Sequence, residues 1–414
     1  MEAALEAVYR ADRDRVLARL IGILGEFDLA EEALQDAWVA AVSSWPTTGV
    51  PDNPGGWLVT TARRKAVDRL RSASASARRQ RAWGELAITW DLGDGSGPIP
   101  DDRLSLIFTC CHPALSLEAQ VALTLRSLGG LSTEEVAKAF LISETALAQR
   151  VVRAKGKIRQ AGIAYRVPSS AELPGRLGAV LAVLYLVFNA GYLPPSGAAL
   201  VNVDLCAEAL RLCQVVITLM PDQSEPLALA AMMRFQHARR EARVDAEGVP
   251  VTLEEQDRRR WDGAEVAAGL ELLDRARAME PVGPYGLKAS IAALHVAAPR
   301  PDLTDWAAIV ALYDRLLAWE PTAVVRLNRA VAVAMAVSPA DGLALVDDPV
   351  LARELDGYHL YAATRADLLR RLGRVGEAAA SYRVARGQTN NRAEHKFIDR
   401  RLRQLEEPTA GPPG

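Results

Sequence analysis

The 414-residue sequence predicts an almost entirely α-helical protein. Two observations carry that expectation. Apolar residues recur at spacings of three to four along most of the chain. Ala, Leu and Arg dominate, while β-branched runs are scarce. The length leaves room for two or three domains and a sizeable core. The net charge is only −2, so any charged binding surface must be local rather than global.

Residues 1–71 form the first helical block. The stretch DLAEEALQDAWVAAVSSWP, Asp28 to Pro46, is amphipathic. Leu34 and Trp38 share one face, Glu31 and Gln35 a second, and Glu32 and Asp36 lie beside these at i, i+4. PDNPGGWLVTTARRKAVDRLRS follows. Its Pro and Gly residues predict a loop from Pro51 to Gly56 with Asn53 exposed. Trp57 then opens a helix carrying Arg63, Arg64, Lys65, Arg69 and Arg71, against which stands only Asp68. Trp57 is expected to pack in the core rather than to stack on a base. Residues 72–100 read as a linker. SASASARRQR is small and polar, its Arg78 to Arg81 extend the basic track, and DLGDGSGPIP is rich in turn formers. A short helix is expected around Trp83.

Residues 101–166 hold two short helices with a tight joint, LSTEEVAKAFLISETALAQRVVRAKGKIR. Ser132 and Glu135 have the spacing of a capping box, and Ser143 caps the next helix, with Glu144 in its first turn. Val136, Ala137 and Phe140 give the first helix an apolar face; Leu147, Val151 and Ile158 do so for the second. The outward set is Glu144, Thr145, Gln149, Arg150, Arg153, Lys155 and Lys157. In a helix-turn-helix the first residues of the second helix meet base edges, and later cations meet phosphates. Thr145, Gln149 and Arg150 carry suitable donors and acceptors for the first task.

RVPSSAELPGR marks a boundary, and residues 167–414 form a large helical domain. LGAVLAVLYLVF, Leu177 to Phe188, spans 12 residues. That falls short of the roughly 20 a membrane span needs, so it predicts a helix buried inside a domain. Near the end, Ala366, Leu372-Gly373, Ala378, Tyr382 and Ala385 have the spacing of a tetratricopeptide repeat, with Asn390 where that pattern usually has Pro. Helix endings at Met220-Pro221, Glu280-Pro281 and Glu320-Pro321 are unevenly spaced. Degenerate helical hairpins are therefore expected, stacked as a solenoid or a compact variant of one.

No P-loop, G-x-S-x-G, H-E-x-x-H or dinucleotide fingerprint occurs, and the five histidines are scattered singly, so no enzyme is expected. No cofactor is expected either. Cys110, Cys111 and His112 have donor atoms for a metal, but adjacent cysteines at a helix end read first as small buried hydrophobes. Four cysteines in so long a chain fit a reducing, cytoplasmic setting. The N-terminus has no apolar h-region, and neither signal peptide nor membrane partner is expected.

Three motifs in order resemble those of bacterial sigma factors of the extracytoplasmic-function type. AEEALQDAW resembles that family's helix for the RNA polymerase clamp, WLVTTARRKAVDRLR its minus-ten helix, and the helix-turn-helix its minus-thirty-five domain. RLSLIFTCCHPAL and LYLVFNAGY resemble the subgroup with a C-terminal extension of tetratricopeptide-like helices. The family often has Asn where this chain has Arg64. The resemblance implies a cytoplasmic protein that binds core RNA polymerase through Glu31, Glu32, Gln35 and Asp36. It implies minus-ten DNA contacts from Asn53, Trp57, Arg63, Arg64, Lys65 and Arg69, and upstream contacts from Glu144 to Lys157. It also implies a tail that regulates in cis; the size and helical-repeat pattern of that tail separately predict a groove for a protein or peptide. The competing expectation is a helix-turn-helix regulator with a helical-repeat sensor that never replaces sigma. It leaves the acidic helix and the Trp57–Arg71 segment without a task.

Overall fold

The computed structural model describes residues 2–73, 102–129, 131–140, 142–169, 171–192, 203–279 and 281–406. Helices dominate, and among the described residues the one β-type pairing is an isolated antiparallel bridge between Val244 and Pro250. The chain divides into two compact units, Met1–Val183 and Leu184–Gly414. The expected linker helix around Trp83 and the cations Arg78 to Arg81 lie outside the described residues.

In the first unit, α1 (Glu2–Leu24), α2 (Phe27–Thr48) and α3 (Pro54–Ala73) form a bundle. Gly25, at φ 69°, makes the turn between α1 and α2, a conformation that favours glycine. Ala30, Ala33, Ala37 and Ala41 place small side chains along the buried stripe of α2. There they meet Leu17, Leu20 and Ile21 from α1 and Leu58, Ala62 and Ala66 from α3. Trp45 is 1% exposed and anchors this core. It packs edge-on against Trp38 and Trp57, with centroids 6.2 and 5.3 Å away.

The structure shortens the expected Pro51–Gly56 loop. α3 begins at Pro54, with Gly55 and Gly56 buried in its first turn. Asn53 is half-buried and caps the helix: its Oδ1 accepts from the Gly56 N–H at 3.0 Å. A residue with cap chemistry just before Pro at the first helical position explains the difference.

α4 (Arg103–Cys110), α5 (Leu117–Ser127), α6 (Thr133–Phe140) and α7 (Glu144–Gln160) form the second part of this unit. Both expected caps are in place. The Ser132 Oγ accepts from the Glu135 N–H at 3.1 Å while the Glu135 carboxylate accepts from the Ser132 N–H at 2.6 Å. Ser143 Oγ accepts from the Ala146 N–H at 3.1 Å. Val136, Ala137, Leu147 and Ile158 are buried, and Val151 is half-buried. The side chain of Phe140 lies outside the described residues. Cys110 and Cys111 are buried at the end of α4. Burial pushes both thiols up, Cys111 to about 12, so both stay protonated at neutral pH.

α8 (Leu173–Tyr192) is longer than its apolar stretch and passes, by length and composition alone, as able to cross a membrane. Val180, Leu181, Val183, Leu184, Val187 and Phe188 along it are buried, while Ala179, Ala182, Tyr185 and Leu186 are half-buried and Gly178 is exposed, so the helix is covered on one side rather than all round.

The second unit continues through α9 (Val203–Leu219), α10 (Ser224–Ala238), α11 (Gly263–Arg277), α12 (Pro284–Ala297) and α13 (Trp306–Trp319). It ends with α14 (Ala323–Ala336), α15 (Pro339–Val346), α16 (Pro349–Glu354), α17 (His359–Arg371), α18 (Val375–Gln388) and α19 (Arg392–Glu406). The repeat signature is structural: Ala366, Ala378, Tyr382 and Ala385 are all at most 1% exposed, and Gly373 turns the α17–α18 hairpin at φ 73°. In an open solenoid each repeat contacts only its neighbours. Here distant segments are joined. Arg400 reaches Asp245 at 2.7 Å, Arg401 reaches Glu255 at 2.7 Å, and Arg371 pairs with Glu254. The compact alternative is therefore the one adopted.

Candidate polymerase and nucleic-acid interface

The candidate site residues all lie in the first unit. On α3, Arg64, Lys65 and Arg69 are exposed and Arg63 is half-buried. Burial, and then the neighbouring Arg64 charge, pull the Arg63 guanidinium below its usual range. Trp57 is half-buried against Trp45, consistent with packing rather than a free stacking face. Arg69 has acidic partners that its own helix does not supply. It meets Asp36 and Glu32 of α2 at 2.8 and 2.6 Å. Two residues expected to face polymerase thus hold one expected to face DNA. Glu31 and Asp36 are half-buried, while Glu32 and Gln35 are exposed.

α7 separates into two faces. Thr145, Gln149, Arg153 and Lys157 recur at i+4 and are all exposed, forming one stripe. Glu144 is exposed and Arg150 half-buried beside it. The Arg153 Nε donates to the Gln149 carbonyl at 3.2 Å, which steadies the stripe from within. Lys155 and Arg159 lie on the other face. The Lys155 side chain is only 10% exposed, and its Nζ meets both Asp28 and Glu31 at 2.9 Å. Arg159 meets Glu26 at 2.8 Å. The expectation that Lys155 points outward with Lys157 is corrected: two residues further along the helix means about 200° of rotation.

The α7 contact is one of several that join the two parts of this unit. Arg13 donates to the Ser127 and Arg126 carbonyls at 3.3 and 3.2 Å, at the C-terminal end of α5. Arg19 pairs with Asp102 at 3.1 Å. Tyr165, beyond α7, donates its hydroxyl to the Ala18 carbonyl at 2.6 Å. Its ring lies over Gly22, where an added Cβ would sit 3.1 Å from it. Sequence reasoning missed these joints because nothing in a local window signals a partner more than a hundred residues away.

Among the described residues no group of three or more His, Cys, Asp or Glu side chains is placed to hold a metal.

The comparisons with known proteins agree with this geometry. Sigma-70 region 2 matches residues 8–76, which covers α2 and α3, and sigma-70 region 4 matches residues 105–158, which covers the helix-turn-helix. A family of unknown function matches residues 176–277. An uncharacterized protein of Rhizobium meliloti (strain 1021) is 39% identical over 402 residues, 95% of this chain and 94% of its own length. The ECF RNA polymerase sigma factor SigK of Mycobacterium sp. (strain KMS) is 35% identical over 89 residues, 20% of this chain and 45% of that protein. The probable ECF RNA polymerase sigma factor SigI of Mycobacterium tuberculosis (strain CDC 1551 / Oshkosh) is 26% identical over 167 residues, 39% of this chain and 57% of that protein. With two sigma-70 regions in order, sigma-factor relatives across them and a large helical extension behind them, the chain belongs to the extracytoplasmic-function sigma factors, in the subgroup that carries a C-terminal helical domain.

Proposed function

We propose that the chain binds core RNA polymerase and directs it to specific promoters, and that its C-terminal domain regulates this in cis. Glu31, Glu32, Gln35 and Asp36 on α2 would meet the polymerase clamp. Arg63, Arg64, Lys65 and Arg69 on α3 would follow the DNA backbone beside the melted minus-ten element, with the Asn53–Trp57 segment at its edge. The stripe from Thr145 to Lys157 would enter the major groove of the upstream element. The observation that carries the reading is this exposed stripe on a doubly capped helix-turn-helix, in one unit with the acidic α2 and the basic α3.

The ion pairs between α2, α3 and α7 do not oppose it. The exposed pairs of Arg69 and Arg159 contribute roughly 0.2–1 kcal/mol each, so polymerase and phosphate can replace them at little cost, whereas Lys155, only 10% exposed, remains a joint within the unit. Regulation in cis is supported by the size of residues 167–414, more than half of the chain.

The test is transcription in vitro with purified core polymerase. The full chain should bind core and initiate at specific promoters. Glu32→Lys with Asp36→Lys should weaken core binding while leaving the helical spectrum unchanged. A wild-type chain that never binds core refutes the proposal and leaves a conventional regulator.

A further inference from the structure

The C-terminal unit contains a cavity of about 420 Å³ that promoter recognition does not use. Its walls come from α10, α12, α13 and α14, with Tyr185 of α8 and Leu253 completing them. Phe235, Ile291, Tyr313 and Val325 give it an apolar side. That size lies within the range of sites that hold a compact organic molecule.

Polar groups share the wall, among them Gln236, Thr322 and Asn328, and the charges of its ionisable side chains do not balance. Arg239 stands at the C-terminal end of α10 and lines the cavity. Its Nη2 donates to the Tyr192 hydroxyl at 3.0 Å, and among the described residues it reaches no carboxylate. Lys288 and His295 lie two turns apart on α12, so both face the same way. Lys288 is held by Glu320 at 2.8 Å and lies 5.0 Å from the centre of the Tyr285 ring. His295 is pushed down to about 4, first by burial and then by Arg239 and Arg258. Burial first, and the neighbouring cations second, therefore keep the ring neutral. Among the side chains that line the cavity, Lys288 is met by Glu320, His295 is neutral and Arg239 has no carboxylate among the described residues, so the lining itself is net positive. A half-buried guanidinium without an anion is an energetic opportunity for a ligand that brings one.

We propose that this cavity binds a small organic anion with an apolar, ring-sized body and a single carboxylate, the body among Phe235, Ile291 and Tyr313 and the carboxylate on Arg239. This assignment is independent of whether the tail controls transcription.

The test uses the full chain and a fluorescent aromatic sulfonate, 8-anilinonaphthalene-1-sulfonate, as the probe. One saturable site per chain is expected, with displacement by 3-phenylpropionate and none by the neutral 3-phenylpropionamide. Arg239→Gln should weaken probe and competitor about tenfold, the scale of one lost charge-assisted hydrogen bond. Glu320→Gln should tighten both, because it frees Lys288. Circular dichroism melting establishes that each variant is folded; if Arg239→Gln is not, the direction of the Glu320→Gln change decides. Equal displacement by the amide overturns the proposal. So does binding unchanged in both variants, or stronger displacement by an acidic tetrapeptide than by the phenylpropionate.

Discussion

At the scale of single residues, His295 couples the C-terminal unit to pH. Its folded value of about 4 lies below the ordinary imidazole range near 6.5. The sign follows directly. Above about 6.5 the ring is neutral in both states and costs nothing. Below that, the unfolded chain takes a proton that the folded one refuses, so stability falls until the pH reaches the folded value. By pH 5 the loss is about 2 kcal/mol. Urea midpoints at pH 7 and pH 5 should therefore move less in His295→Gln than in the parent; equal movement would contradict the prediction. The promoter readers can be separated at this scale too. Gln149→Ala or Arg150→Ala should lose roughly 1–3 kcal/mol of preference for the cognate upstream element. Lys157→Ala should weaken cognate and random DNA alike and flatten the salt dependence. Competition binding at two salt concentrations distinguishes these outcomes.

At the scale of elements, helices cross closely where a glycine permits it. Gly342 on α15 is such a place. A Cβ there would lie 2.3 Å from the Ala334 Cβ and 2.8 Å from the Ala330 carbonyl oxygen, both on α14. Neither neighbour is a flexible side chain that can swing aside. Gly342→Ala should therefore destabilise the unit by about 1–3 kcal/mol through overpacking, although alanine favours helices. A gain of stability in denaturant would show that propensity outweighs contact. Glu225 shows a second way in which elements are fitted together. From α10 its carboxylate accepts from the Tyr285 and Gly286 N–H groups at 3.0 and 3.1 Å, capping α12 from another helix. Burial raises its pKa despite those bonds.

At the scale of the whole molecule, two compact units belong to one chain, and more than half of it lies beyond the promoter-binding helices. If the tail regulates in cis, removing it must change output. Truncation after residue 167 should alter transcription from a cognate promoter several-fold, and the separated pieces should bind one another. Identical transcription by the truncated chain, with no binding between the pieces, would make the tail an independent module.

The sequence by itself determined what depends on neighbours three or four residues away. The Ser132–Glu135 box, the Ser143 cap and the buried stripe of Ala366, Ala378, Tyr382 and Ala385 were all readable, because helix period and capping are local. Order and spacing were enough to place the three motifs and to suggest the family. What the tertiary structure alone decided is which charges remain free. Lys155 and Lys157 look equivalent in a string, yet Lys155 is held by Asp28 and Glu31 across a separation of more than a hundred residues while Lys157 stays exposed. Arg69 likewise finds Glu32 and Asp36 on another helix. The cavity around Arg239 and His295 draws its wall from segments between Tyr185 and Asn328. The reason is the same in each case. A side chain's partner in space is set by how helices cross, and a local window of sequence contains no term for that.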